Sequence, residues 1–156
     1  MVFSRWTGRS RRIAVAGAVA AAGAGLPSTL HTLVTGGDLL ASTRAAGTLV
    51  PGRRDRPGLV AGVAVHLVVS AGWTAVLSAA DRRHRLGPLG GGAAGLLVAA
   101  LDLEMAGRRY PAIRSLPRLP QWLDHVAFGA LAGALLSDPG ARRRRSRSRT
   151  GSAPGA

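Results

Sequence analysis

The sequence predicts an all-α fold: a bundle of four transmembrane helices, with a short interfacial helix between spans 1 and 2. Three observations predict it. Four long apolar runs, at residues 13–36, 58–80, 86–107 and 121–137, are separated by arginine-rich segments, and a bilayer core takes about 20 apolar residues per helix. The first two runs contain no Asp, Glu, Lys or Arg, so they lack the polar face that a helix in a water-soluble bundle carries. Ala and Gly fill all four runs, which disfavours strands. A soluble all-α domain is the structural alternative.

Composition agrees with this class. Of 156 residues, 21 are Lys or Arg and 7 are Asp or Glu, a net charge of +14. Every one of the basic residues is arginine, and they lie in clusters between the runs rather than along a face. There is no cysteine, which excludes disulfides, thiolate metal sites and cysteine nucleophiles.

Residues 1–12 form a basic N-terminus with Arg5, Arg9, Arg11 and Arg12. The stretch "SRRIAVAGAVAAAGAG" has the outline of a secretion signal. However, Ala14 and Val15 replace the aromatic and leucine of a twin-arginine signal, and the apolar run continues to Val34. An uncleaved span is expected. Pro27 should kink it and free the Gly23 carbonyl, with Ser28 or Thr29 placed to compensate.

The segment 38–52 follows a Gly-Gly stop. Asp38 is placed to cap a helix of about 12 residues, too short to cross, and so interfacial or re-entrant on the outer face. The second run leads into a tight turn holding Arg82, Arg83 and Arg85. The third is interrupted only by Asp102 and Glu104. The proline-rich "RRYPAIRSLPRLP" should be stiff and extended. The fourth run is the weakest, with Asp124 and His125 near its start. The membrane domain thus covers 13–137. In the tail, 138–156, Arg142, Arg143, Arg144 and Arg145 lead a basic cluster that ends in Gly, Ser, Ala and Pro. That composition is expected to be disordered.

Charge sets the threading. With both termini cytoplasmic, 13 arginines lie inside and 8 outside, as the positive-inside rule favours. The expected location is a bacterial cytoplasmic membrane. The tail should bind anionic lipid, at roughly 1 kcal/mol per arginine near the surface. Without interleaved aromatics for stacking, specific nucleic-acid binding is not expected. A second copy of the chain or another membrane protein is a further class of partner.

In this threading His31, His66, Asp102, Asp124 and His125 all fall roughly 5 to 12 Å below the outer boundary, at about 1.5 Å per residue. They also lie on small-residue stripes suited to close helix approach. Gly62, His66, Ser70 and Trp73 share one side of the second helix; Gly87, Gly91, Gly95 and Asp102 one side of the third; His125, Gly129 and Ala132 one side of the fourth. His31, His66, Ser70, Asp102, Asp124 and His125 are therefore the candidate intramembrane cluster, since ionisable groups at such depth mark function. Glu104 lies about 200° from Asp102 and four residues before Arg108, so an i,i+4 pair accounts for it.

No GxSxG, Walker loop or HExxH motif occurs. No catalytic residue, metal or cofactor is expected; three histidines and a carboxylate could suit a metal, but no HxxH or HxxxH spacing supports one. Two functional classes follow. One is a non-enzymatic membrane protein with a structural or interaction role. The other is a small oligomeric transporter or proton-linked channel that uses the His/Asp cluster.

The segments "GLPSTLHTL", "HLVVSAGW", "ALDLEMAGRRYPAIRSLP" and "DHVAFGALAGALL" together resemble small polytopic membrane proteins of high-GC actinobacteria, an uncharacterised group without a known activity. The resemblance covers about residues 13–137. It implies the same span plan and carries no ligand or catalytic residue.

Overall fold

The computed structural model describes residues 2–137 of the chain, with side chains from residue 8 onward. Arg142, Arg143, Arg144, Arg145 and the expected disordered tail lie outside the described residues. Among the described residues every element is helical. The long helices are α1 (Val2–Ala24), α2 (Leu26–Thr35), α4 (Leu59–His84), α5 (Gly87–Ala99) and α7 (Arg118–Leu136), and the short ones are α3 (Ala41–Ala46) and α6 (Pro111–Arg114). Helix α1 begins inside the basic N-terminal segment, well before the apolar run, because nothing from Val2 to Arg12 breaks a helix.

Three helices are long and apolar enough to cross a membrane: residues 8–35, where α1 and α2 act as one broken rod, α4, and α5 with its extension to Arg109. Their outward surfaces are what lipid requires. Val60 is 84% exposed and Leu89 is 89% exposed, surface that water would penalise at about 25 cal/mol per Å².

Helix α7 has 19 residues and is not among those three. Its place in the fold explains its weaker hydropathy. It packs against α5, α1, α2 and α4, whereas α4 and α5 barely touch each other. A helix surrounded by helices has less need of an apolar outer face. Its tightest neighbour is α5, and glycine makes that approach. A Cβ on Gly91 would fall on the Gly129 carbonyl oxygen, and one on Gly129 would fall on that of Gly91. Gly95 against His125 and Gly133 against Gly87 repeat the pattern one turn away on either side. The glycine stripe of the third run is thus a contact face.

Two clusters fill the interior. One joins Ala16, Ala20, Ala24, Leu77, Phe128, Ala132 and Leu136 through one half of the bundle. The other, Ala45, Ala99, Leu103 and Ile113 with Leu49, Tyr110 and Trp122 packed around it, holds α3 and α6 over the opposite end.

The connections differ from expectation or add to it in three places. Asp38 does not cap α3 directly; its Oδ1 accepts from the Leu40 amide at 2.9 Å in an Asx turn, and its Oδ2 pairs with Arg44. Helix α3 packs down on the start of α4, where Gly62 meets the Thr43 carbonyl and Thr48 is fully buried. Its inner side is thus covered by protein, a contact that the sequence does not announce. The proline-rich loop is not extended. Pro111 opens α6 and Pro120 sits in the first turn of α7, where a missing amide hydrogen breaks no helical bond.

Candidate functional site

A cavity of about 390 Å³ lies beneath α3 and α6, between α1–α2, α4, α5 and α7. Helices α2, α4 and α7 and the extension of α5 each contribute a polar side chain to it. His66, Ser70, Trp73, Asp102, Asp124 and His125 all line it, with Ser28 and Gln121. Five of the six sequence-predicted residues therefore share one space. The sixth, His31, does not line it; its side chain is exposed on α2. Helical spacing accounts for this: His31 falls to the side of the face on which Ala21, Ala24 and Ser28 line the cavity.

Asp124 sits at the break between α1 and α2. Pro27 removes one amide and Gly25 interrupts the helix, so the Ser28 amide heads a new helical segment. It donates to Asp124 Oδ1 at 2.9 Å. The Ser28 hydroxyl turns back onto the Gly25 carbonyl at 3.2 Å, not onto the Gly23 carbonyl that the proline was expected to free. A carboxylate from α7 thus caps the N-terminus of α2. His66 serves the other side of the break. Its Nε2 lies 3.2 Å from the Ala21 carbonyl oxygen; a carbonyl only accepts, so Nε2 carries the hydrogen and donates it.

Asp102 lies on a π-helical stretch, Ala100–Ala106, which continues α5; the Gly107 amide reaches back five residues to the Asp102 carbonyl. Such wide turns recur at functional positions. Its Oδ2 accepts from Trp73 Nε1 of α4 at 3.0 Å and stands 3.5 Å from His125 Nε2 of α7. The other ring nitrogen, Nδ1, donates to the Gln121 carbonyl oxygen at 2.8 Å. With Nδ1 carrying a hydrogen, a neutral ring would turn a bare lone pair toward a bare carboxylate oxygen. Only a ring protonated on both nitrogens could donate to that oxygen.

Glu104 faces away from the cavity. It pairs with Arg108 at 3.1 Å, the expected i,i+4 contact, and also with Arg118 at 2.8 Å. Among the described residues no group of three or more His, Cys, Asp or Glu is arranged to hold a metal ion.

Several polar partners escape a reading of the sequence. Gln121 Nε2 donates to Ser42 Oγ at 2.9 Å and ties α7 to α3. At the far end of the bundle, Asp81 Oδ1 accepts from the Leu86 amide and from the Ser137 hydroxyl, both at 2.9 Å. Ser137 Oγ in turn accepts from the Gly87 amide at 2.9 Å. This network locks the turn between α4 and α5, where Arg85 takes a left-handed conformation with φ 48°, to the end of α7. A lone Asp beside three arginines reads as a surface charge, and only the contact with Ser137 reveals the lock.

Compared with known protein families, curated proteins and solved structures, the chain matches none. Its class rests on the fold and the cavity alone: an all-helical protein with three helices able to cross a membrane.

Proposed function

We propose that the chain is an integral protein of a bacterial cytoplasmic membrane, with α1–α2, α4, α5 and α7 as its four spans and both termini cytoplasmic. Its role is non-enzymatic: it holds a partner molecule in the cavity without transforming it. The observation that carries this reading is the convergence of polar groups from all four helices on one space while their outer faces stay apolar. Intramembrane ionisable groups that face a bundle interior mark binding or transport. Beyond the cavity the small-residue core closes the bundle, which fits a blind pocket better than an open pore. Lysis without detergent followed by ultracentrifugation should leave the chain in the pellet, resistant to alkaline carbonate. Recovery in the supernatant would remove the membrane and, with it, this role.

A second reading, a proton-linked transporter, draws on the His125–Asp102 pair and the broken first span. Broken helices at membrane depth recur in transporters. In proteoliposomes this reading expects a pH-dependent proton leak that Asp102→Asn and His66→Ala each abolish. Proteoliposomes as tight as protein-free vesicles at every pH would leave the binding role alone.

A further inference from the structure

The charges around the cavity do not follow the chain as a whole. All 21 Lys-plus-Arg positions of the sequence are arginine, yet among the described residues none lines the cavity. Its ionisable side chains are two carboxylates, Asp102 and Asp124, and two imidazoles, His66 and His125.

The ring nitrogens that carry hydrogens are already committed to protein oxygens: Trp73 Nε1 to Asp102, His66 Nε2 to Ala21, His125 Nδ1 to Gln121. A ligand therefore meets carboxylate oxygens and the hydroxyls of Thr29, Ser42, Thr43 and Ser70. Asp124, when ionised, gives the space a negative charge that the α2 N-terminus only partly offsets. Much of the remaining wall is apolar, with Val63, Val69, Val98 and Phe128. Its volume, about 390 Å³, lies at the small end of the range for small-molecule sites, roughly 300–1,000 Å³. A single carboxylate beside an apolar wall complements a singly charged organic cation.

We infer that the cavity binds a small ammonium compound with an apolar body, its charge set against Asp124. This rests on the reading of the cavity as a binding site. The test uses the full chain in neutral phosphatidylcholine nanodiscs, with empty nanodiscs correcting for partition into lipid. Three probes are followed by fluorine NMR: 2-(4-fluorophenyl)ethylamine, its alcohol analogue and its carboxylate analogue. The amine should bind saturably at least tenfold tighter than the alcohol, and the carboxylate should not bind. Asp124→Asn should bring the amine within about threefold of the alcohol; its side-chain oxygen still accepts from the Ser28 amide, so the α2 cap survives. An amine no tighter than the alcohol, or one insensitive to Asp124→Asn, overturns the ammonium class and leaves the cavity a neutral binding site. No saturable binding of any probe overturns both.

Discussion

Asp124 has two duties, and they can be separated at the level of one side chain. Its Oδ1 caps the Ser28 amide, and its charge sets the polarity of the cavity. Asp124→Ala strands that part-buried amide, a loss of about 1–3 kcal/mol. Asp124→Asn retains the acceptor. In thermal melts of detergent-solubilised protein, the alanine variant should unfold at a clearly lower temperature while the asparagine variant stays near the parent. Equal melting temperatures for all three would remove the cap. In the sequence Asp124 was legible as an inward polar residue beside His125. The cap itself was not, because it joins residues 96 positions apart through a helix break whose direction the sequence does not fix. His31 shares the first span but not the face of it that lines the cavity. Trp73 was legible as sharing a face with His66 and Ser70. Its bond to Asp102 depends on a π-helical turn that no residue pattern marks.

Among the elements, α5 and α7 rest on glycine contacts that permit no side chain. Gly91→Ala should cost about 1–3 kcal/mol through overpacking, because the added methyl meets backbone, which cannot swing aside. Gly72, midway along α4, has nothing within 4 Å of its Cβ position. Gly72→Ala should be neutral or stabilising by about 0.5–1 kcal/mol. Urea or thermal unfolding of the two variants in matched detergent reads the contrast, and similar behaviour at both positions would contradict the packing. The stripe of Gly87, Gly91 and Gly95 was readable because helical period alone places those residues on one side. The seat of α3 was less so. The sequence placed a short helix after Asp38, but a short apolar helix lies equally well on lipid or on protein. Only tertiary contacts such as Gly62 against Thr43 show that one side of it rests on protein. The extended reading of the proline-rich loop failed for a related reason: proline stiffens a loop, yet it also suits the first turn of a helix.

For the molecule as a whole, the apolar runs announced the solvent. Three of them reappear as helices able to cross a bilayer. The fourth was the faintest in the sequence and is the most enclosed in the fold. Hydropathy measures what a helix shows to lipid, so it underreports a helix that other helices cover. Whether α7 crosses the membrane decides where the cavity opens and on which side the arginine-rich tail meets lipid. The chain has no cysteine, so single cysteines can be placed without interference at Gly52, Ser115 and Ser152. A membrane-impermeant maleimide applied to intact cells should label Gly52→Cys and Ser115→Cys at once, and Ser152→Cys only after the membrane is opened. Labelling of Ser115→Cys and Ser152→Cys from the same side would mean that α7 does not cross, and the four-span account of the cavity would fail with it.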